Sequence, residues 1–483
     1  MFEKFDGTGR SPRPVQIKAL KWLEDNWIGG PKFLAINLPT GGGKSFLARS
    51  IINEFGDVAY LAPNNVLIDQ IIETYPLMNS LIGANHYKCK EDPAFTCRER
   101  AKLGENHCGA CPYQDALSRA TSGEATAFNP LSYYYMRMRK GWEPPKVIVI
   151  DEAHSFSECI KTLVSFKLSK QKYKYPDTLN VLDLIEWSKE QIKTCEKVFT
   201  LSTNARMSRA AYSKYDKLIR MHHMLSKFQQ EYSIFHEKDG DDEILVLEPL
   251  NVPSYFMEEF LAVEKVVLLS ATLTRYSVEQ ITCGTEYAKI ELESPIDSSQ
   301  RPVYYRPSGQ PMNANTPPSY LAHLIRKTRE EFPGNCICHV TYAVAEQLRP
   351  FFPEALIHTK TTKKSTLKRF KVEGGLWLAA GCDEGIDLPD DACRTNIILR
   401  LPRPNTMDLT VAKRKALEGG QEWYDIQTLI KAIQQAGRST RHETDSSSII
   451  ICDPYFKRLV DKYRDQLPKS FLESIQWRKT NGK

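Results

Sequence analysis

The sequence predicts an α/β protein with two domains, each built from a parallel sheet flanked by helices. Three observations support this prediction. Short apolar runs typical of strands alternate with helical patterns in two separate series along the 483 residues. The first series carries a glycine-rich turn between a strand and a helix, and two segments without this alternation interrupt it. The length also exceeds what one hydrophobic core commonly supports.

The composition is that of a globular protein, with 41% hydrophobic, 26% charged and 10% aromatic residues. The net charge of +6 is compatible with nucleic acid as a partner. The sequence contains no N-terminal segment of the signal-peptide type. It also contains no apolar run of about 20 residues, the length that spans a bilayer. We therefore expect an intracellular protein without membrane contact. Twelve cysteines in a reducing compartment are not expected to form disulfides, so any clustering among them is informative.

The glycine-rich turn, residues 38–45 (LPTGGGKS), has the character of a phosphate-binding loop. Glycines let backbone N–H groups converge on phosphate oxygens, and the N terminus of the following helix favours an anion. We expect Lys44 to reach the β- and γ-phosphates and Ser45 to place its hydroxyl on Mg²⁺. The strict pattern has glycine where Leu38 stands, and an ordinary turn at a helix start is the alternative for this motif alone. The loop residues assigned to the nucleotide are Thr40, Gly41, Gly42, Gly43, Lys44 and Ser45.

A second motif follows the apolar run 147–150, which ends in Asp151, Glu152, Ala153 and His154. Asp151 is placed to coordinate Mg²⁺, and Glu152 to polarise the attacking water. An acidic strand exit without catalytic function is the alternative for this motif alone. Its occurrence about a hundred residues after a phosphate loop is far more specific, and the pair predicts nucleotide hydrolysis.

Four cysteines fall within 23 residues of a polar segment, with the spacing C-x7-C-x10-C-x2-C. Such crowding predicts four ligands to one metal centre, and four unrelated thiols are the alternative. Zinc and an iron–sulfur cluster both accept four thiolates, so the ligand type does not identify the centre. A single CxxC pair fits paired zinc knuckles poorly. The four residues are Cys89, Cys97, Cys108 and Cys111.

Two further segments of the first series leave more than one interpretation open. Residues 133–140 (YYYMRMRK) combine tyrosines with cations, which suits stacking and phosphate contact on a single strand, but a helix with a buried tyrosine face is equally compatible. Residues 157–245 are charged and helical in character, and their function is not legible from the sequence.

The second series begins after Pro302 and has no phosphate loop of its own. In residues 434–441 (QQAGRSTR), helical spacing brings Gln434, Arg438 and Arg441 near one face, where two guanidinium groups can meet a triphosphate across a domain cleft. Arginine from a facing domain stabilises the charge that develops in phosphoryl transfer. A solvated helix face is the alternative for these arginines alone.

In this order, the motifs resemble those of the iron–sulfur helicases of the XPD/DinG type in helicase superfamily two. The resemblance covers nearly the whole chain. It rests on Arg13 and Gln16, PTGGGKS, APNN (62–65), the four-cysteine segment, DEAH (151–154), the helical insertion, SAT (270–272), DEGIDLP (383–389) and QQAGRSTR.

The resemblance implies two RecA-like motor domains at 1–275 and 276–483, with a 4Fe-4S insert at 84–118 and a helical arch insert at 157–245, both in the first. It implies an ATP hydrolase and DNA helicase that moves along single-stranded DNA, five-prime to three-prime, and opens forked DNA as a monomer. The cofactors would be ATP, Mg²⁺ and a 4Fe-4S cluster, with zinc as the alternative. The resemblance adds further nucleotide-binding residues, namely Arg13, Gln16, Asp387, Gln434, Arg438 and Arg441.

Two other functions share these motifs. A nucleic-acid-stimulated ATPase that remodels or clamps strands would have the same motor, and so would a helicase for RNA/DNA hybrids, because phosphate contacts say little about the sugar. A nuclease would need a further metal site of carboxylates or histidines, and the sequence outside the motor motifs offers no such constellation.

Overall fold

The structure, a computed structural model, describes residues 11–98, 110–201, 205–227, 232–382 and 386–477. Over these residues it contains two seven-stranded parallel sheets and a three-stranded antiparallel sheet. The prediction of two parallel α/β domains is therefore confirmed. No helix in these ranges combines the length and the hydropathy that a bilayer crossing requires.

The first parallel sheet has the strand order β10-β1-β9-β5-β2-β4-β3. Its central strands are buried on both faces, as parallel strands commonly are: in β1, Leu34 and Ile36 pack into one hydrophobic cluster while Phe33 and Ala35 pack into another. The elements up to the second insert are α1 Pro14–Trp27, β1 Phe33–Asn37, α2 Lys44–Phe55, β2 Val58–Leu61, α3 Asn65–Thr74, β3 Asn79–Leu81, α4 Pro112–Thr121, β4 Thr126–Phe128, α5 Pro130–Arg137, β5 Val147–Ile150 and α6 Phe156–Leu163.

The second insert, predicted as a helical arch at 157–245, contains strands as well as helices. The prediction that it is purely helical is therefore wrong. The insert pairs two long antiparallel helices with a three-stranded antiparallel sheet of order β6-β8-β7. The acidic turn after Asp239 closes the β7–β8 hairpin, because Gly240 takes the positive φ of +60° that the turn requires. The elements of the insert are β6 Phe166–Ser169, α7 Lys170–Tyr173, α8 Val181–Leu201, α9 Ala205–Lys227, β7 Tyr232–Asp239 and β8 Asp242–Pro249.

The chain then returns to the first sheet. Strand β9 (Lys265–Ser270) lies between β1 and β5, and after α11 the strand β10 (Tyr287–Glu291) pairs with β1 at the edge of the sheet. The predicted domain boundary at 275/276 therefore falls inside the first domain, since its sheet takes a strand as far as Glu291. The remaining helices here are α10 Ser254–Phe260 and α11 Arg275–Thr282.

The second parallel sheet has the order β13-β14-β12-β15-β16-β11-β17. Helices cover it on two faces around separate buried clusters. Its elements are β11 Val303–Tyr305, α12 Pro318–Glu331, β12 Cys336–Val340, α13 Tyr342–Leu348, β13 Leu356–Ile357, α14 Lys363–Glu373, β14 Leu376–Ala380, β15 Thr395–Ile398, α15 Leu409–Ala416, α16 Gly420–Ala436, β16 Ser448–Ile451, α17 Tyr455–Lys462, α18 Lys469–Ser474 and β17 Ile475–Gln476.

An ion pair between a buried arginine and a half-buried glutamate joins the two domains away from the phosphate loop. On α15, the Arg414 guanidinium, only 4% exposed, donates to Glu158 Oε1 of α6 at 2.6 Å and lies 4.1 Å from the Trp423 ring centre. Although burial of Glu158 opposes ionisation, the Arg414 charge holds the pKa of that carboxyl below its usual value. The pair therefore fixes α15 of the second domain against the helix that follows the acidic motif.

Replacing Arg414 with alanine is expected to lower the free energy of unfolding by about 2–3 kcal/mol. The loss stays below the 3–5 kcal/mol of a fully buried broken pair, because Glu158 keeps 36% of its side chain exposed. Urea denaturation measures the change. The double variant R414M/E158Q, which leaves no unpaired charge, should recover most of the loss; an equal loss in both variants would contradict the ion-pair explanation.

Candidate active site

The phosphate loop connects β1 to α2 at the carboxyl edge of the first sheet. Gly41 and Gly43 have φ of +81° and +90°, which favours glycine at both positions. A Cβ on Gly41 would lie 2.9 Å from the Arg441 carbonyl oxygen, and one on Gly43 would lie 2.1 Å from Gln16 Nε2. The loop is therefore closely packed, and a larger residue would strain the backbone at both positions and would press on the Arg441 carbonyl beside Gly41.

Arg13 and Gln16 are both brought to this loop. The Arg13 guanidinium donates to the Gly41 carbonyl, and Gln16 Nε2 donates to the Gly42 carbonyl at 3.1 Å. Gln16 is buried. In this structure its amide group supports the backbone of the loop.

Three charged groups meet beside the loop. Lys44 Nζ forms an ion pair with Glu152 and lies 4.0 Å from Asp151 Oδ1. Burial alone would lower the pKa of Lys44, but the Glu152 and Asp151 carboxylates outweigh it and the pKa is raised. Burial also opposes ionisation of Glu152, yet Lys44 and then His154 hold the pKa of that carboxyl well below its usual value. Lys44 is therefore a cation and Glu152 an anion at neutral pH.

Asp151 is held by two hydrogen bonds. Tyr60 Oη donates to Asp151 Oδ2 at 2.7 Å, and the Glu152 backbone N–H donates to Oδ1 at 2.9 Å. Burial raises the pKa of Asp151, although Lys44 opposes that effect. Tyr60 lies in the middle of β2, where its sequence context is that of a core residue, so sequence reasoning missed this partner.

Hard cations such as Mg²⁺ prefer carboxylate and hydroxyl oxygens, and the predicted ligands Asp151 and Ser45 fit that preference. Ser45 is exposed in the first turn of α2, and Asp151 is buried at the end of β5. Thr40 faces the second domain, because a Cβ added at Gly437 would lie 3.6 Å from Thr40 Oγ1.

His154 links the acidic motif to two other predicted motifs. Its Nδ1 lies 2.7 Å from Ser270 Oγ at the end of β9, and its Nε2 contacts the Gln434 amide of α16. Register explains the first contact, since Ile150 of β5 pairs with Leu268 of β9 and places the ends of these two neighbouring strands side by side. The two domains therefore meet in one hydrogen-bonded chain next to Glu152.

The two predicted arginines lie on the second-domain side of the same cleft. Arg438 is close enough to Lys44 for its charge to act against the raised pKa of that lysine. Arg438 Nη1 donates to the Ile386 carbonyl at 3.4 Å, and the Arg441 guanidinium forms an ion pair with Asp387. The structure thus brings Asp387 next to Arg441; residues 383–385 of the same motif lie outside the described ranges.

The cysteine segment is described only in part. Cys97 Sγ and Cys111 Sγ lie 3.7 Å apart, and Cys89 and Cys97 are buried. Burial, and after it the neighbouring thiols, raises the pKa of Cys97. Cys108 falls outside the described residues, and the three described sulfurs are not all within 4.8 Å of one another. As a donor set these thiols fit a soft metal centre, either zinc or an iron–sulfur cluster.

The tyrosine-rich segment divides between the two interpretations of its sequence. Tyr133 and Tyr134 are buried and pack on Phe260 and Phe256 of α10, so for these two the core interpretation is correct. Tyr135 is 45% exposed. Of the three rings, Tyr135 is therefore the one accessible for stacking.

Two family models match the chain. One, described as a helicase C-terminal domain, matches residues 327–474 and includes α16 and the two arginines that follow it, Arg438 and Arg441. The other, described as the res subunit of a type III restriction enzyme, matches residues 10–183 and includes the phosphate loop and the acidic motif.

Curated relatives match over shorter stretches. A Fanconi anemia group J protein homolog from Gallus gallus is 33% identical over 129 residues, which is 24% of this chain and 10% of the relative. A regulator of telomere elongation helicase 1 homolog from Drosophila melanogaster is 27% identical over 262 residues, which is 42% of this chain and 26% of the relative. The match thus spans between a tenth and about a quarter of these relatives' own length.

Solved structures show the fold more fully. A structure titled XPD_Helicase is 14% identical, covers 97% of this chain and is itself covered completely, with a TM-score of 0.62. The structure of Xpd4 from S. tokodaii is 16% identical over 96% of this chain, with a TM-score of 0.59. These likenesses confirm the two RecA-like domains.

Proposed function

We propose that this chain, an XPD/DinG-like member of helicase superfamily two, is an ATP-dependent DNA helicase that moves along a single strand and opens forked DNA. The observation that carries this proposal is the convergence of Lys44, Asp151 and Glu152 of the first domain and Arg438 of the second on one phosphate loop. The resemblance to the family supports a monomer, an intracellular setting and movement from five-prime to three-prime.

The residues divide the work of ATP hydrolysis among them. Lys44 exchanges its Glu152 partner for the β- and γ-phosphates, which frees the Glu152 carboxylate to orient the attacking water. Asp151 and Ser45 would hold Mg²⁺, which neutralises charge on the phosphate oxygens. Arg438 and Arg441 reach the developing charge from the second domain.

The same geometry supports coupling of hydrolysis to domain movement. Gln434 contacts His154, and His154 contacts Ser270, so the second domain touches both the acidic motif and the end of β9. A change at Glu152 on hydrolysis therefore reaches α16 through one histidine. We infer that opening and closing of this contact moves the second domain along the bound strand.

Strand displacement tests the proposal against its nearest alternative. A forked duplex with one fluorescent strand should be separated only when ATP is hydrolysed, and hydrolysis should be stimulated by single-stranded DNA. Stimulated hydrolysis without separation would favour an ATPase that remodels or clamps strands. Forks with a single five-prime or three-prime tail test polarity, and RNA/DNA hybrid forks test the sugar preference.

We propose that Cys89, Cys97, Cys108 and Cys111 hold a 4Fe-4S cluster, with zinc as the alternative. The adjacent sulfurs of Cys97 and Cys111 support a thiolate centre, and the family resemblance favours iron–sulfur. Such a cluster would fix the first insert next to the motor, and no step of ATP hydrolysis depends on it.

Replacing Cys97 with serine is expected to remove most of the metal while leaving the ATPase motor folded. Iron, zinc and acid-labile sulfide per chain, with the visible spectrum, measure the loss in anaerobically purified protein. Cys159→Ser, at a half-buried cysteine outside the segment, is the matched control. Iron with sulfide in the wild type identifies a cluster and zinc without sulfide a zinc site, whereas a Cys97→Ser variant with full metal content would exclude Cys97 as a ligand.

A further inference from the structure

The second insert carries four cations beside a buried tyrosine. Three ammonium groups surround the Tyr173 ring, those of Lys172, Lys214 and Lys217, at 5.4, 5.6 and 5.5 Å from its centre. Arg220 lies one turn further along α9, close enough for its charge to act on Lys217. We call Lys172, Lys214, Lys217 and Arg220 the cation cluster.

Among the described residues, no carboxylate forms an ion pair with the three lysines of the cluster. Lys214 Nζ donates to the Gln191 side-chain oxygen at 3.1 Å, and Lys217 Nζ donates to the Lys167 carbonyl at 2.5 Å. Burial, and after it the charges of Lys172 and Arg220, lowers the pKa of Lys217.

Three of the four cations, Lys214, Lys217 and Arg220, come from α9, which is rich in basic residues. Residues 205–227 contain six lysines and arginines and a single acidic residue, Asp216, which pairs with Arg220 at 3.4 Å. Like charges held this closely repel one another, and a bound anion relieves that repulsion.

The Tyr135 ring of the first motor domain, which is partly exposed, lies beside the cation cluster. The Arg220 guanidinium lies 5.7 Å from the centre of the Tyr135 ring on α5. Helix α5 directly follows β4, so it begins at the carboxyl edge of the first sheet, the same edge that carries the phosphate loop, and Tyr135 lies in its second turn. An exposed aromatic ring and then four cations therefore lead from this edge onto the insert.

We propose that the cation cluster binds backbone phosphates of a nucleic-acid single strand, with a base stacked on Tyr135. This inference rests on the proposed function, because it assigns the strand a second contact outside the motor cleft. Ammonium groups on flexible stems act as point charges for phosphate, and a tyrosine ring stacks on any base. The contact is thus independent of base sequence.

Binding to oligothymidylates of increasing length, followed by fluorescence anisotropy at several salt concentrations, tests this site. In the variant K172A/K214A/K217A, long oligonucleotides should bind with a salt slope reduced by about 2, because about 0.7 is lost per phosphate contact on a single strand. The shortest oligonucleotides, which fill only the motor cleft, should bind as they do to the wild type. The matched control is K189A/K193A/K197A, at three exposed lysines of α8 in the same insert.

A second variant tests the same site in case the triple lysine variant does not fold. Tyr135→Ala should weaken binding of the long oligonucleotides about fivefold or more, since a stacked base contributes on the order of 1–3 kcal/mol. The inference is overturned if the lysine variant keeps the wild-type salt slope. It is also overturned if binding of blunt duplex DNA weakens as much as binding of the long oligonucleotides. If wild-type protein neither binds oligothymidylate nor hydrolyses ATP, the proposed function itself fails, which is a different result.

Discussion

Replacing Arg438 with lysine is expected to lower kcat for ATP hydrolysis by about 10³-fold or more, while the Kd for ATP changes only a few-fold. An arginine reaching across a cleft stabilises charge that exists chiefly in the transition state, and such arginines contribute roughly 10³–10⁵ in rate. Lysine keeps the charge but loses the planar, two-pronged geometry. Single-turnover hydrolysis and binding of a fluorescent ATP analogue separate the two effects.

The matched control for this prediction is Arg369→Lys. Arg369 lies on α14 in the same domain, is exposed, and pairs with Glu373 far from the nucleotide motifs in sequence. It should hydrolyse ATP at the wild-type rate. An unchanged kcat in Arg438→Lys would mean that the second domain does not supply charge to the reaction, and the role assigned to the α16 segment would be withdrawn.

Replacing Arg441 with lysine should lower kcat for ATP hydrolysis less than the same replacement of Arg438. In the structure the Arg441 guanidinium already pairs with Asp387, whereas Arg438 lies near Lys44 itself. Arg441 therefore has to leave or share a carboxylate before it reaches a phosphate. The difference between the two lysine variants measures how far the cleft must close during turnover.

The sequence was most informative where one motif requires one local conformation. Glycines at 41–43 predict the strand–turn–helix connection, and the positive φ values of Gly41 and Gly43 explain why that pattern is so restrictive. Apolar runs such as 147–150 and 376–380 correspond to strands buried on both faces. Local patterning of this kind depends on neighbours in sequence, which is why it can be read without a structure.

Contacts between distant segments could not be predicted in this way. Tyr60 looks like any core residue of β2, yet its hydroxyl holds Asp151. Arg414 and Glu158 are far apart in sequence and pair only because α15 lies against α6. The edge strand β10 was also missed, because a partly exposed strand of five residues lacks the apolar run of the central strands.

The second substitution with a large expected effect is at Glu152, whose backbone conformation differs from that of its neighbours. Glu152 adopts φ of +46°, a left-handed conformation that costs a non-glycine residue on the order of 1–3 kcal/mol. The conformation directs the carboxylate at Lys44 and His154. Strain of this kind persists only where the surrounding contacts hold it in place, as Lys44 and His154 do for Glu152.

Replacing Glu152 with glutamine is therefore expected to lower kcat by about 10²–10⁴-fold while ATP binds as tightly as before or more tightly. The amide no longer accepts a proton from the attacking water, which accounts for the loss in rate. It also no longer competes with the phosphates for Lys44, which accounts for the affinity. Glu264→Gln, at an exposed glutamate paired with Lys146 near the other end of β5, is the matched control.

Weaker ATP binding together with a nearly normal kcat would contradict this explanation, because it would assign Glu152 to nucleotide binding instead of water activation. A variant that binds ATP but does not hydrolyse it also allows DNA binding to be measured separately from movement along DNA. Glu152→Gln should hold single-stranded DNA in the presence of ATP and fail to displace a fork. In the proposed mechanism the Lys44–Glu152 pair opens for each nucleotide that enters, so the same carboxylate would govern both the entry of ATP and its hydrolysis.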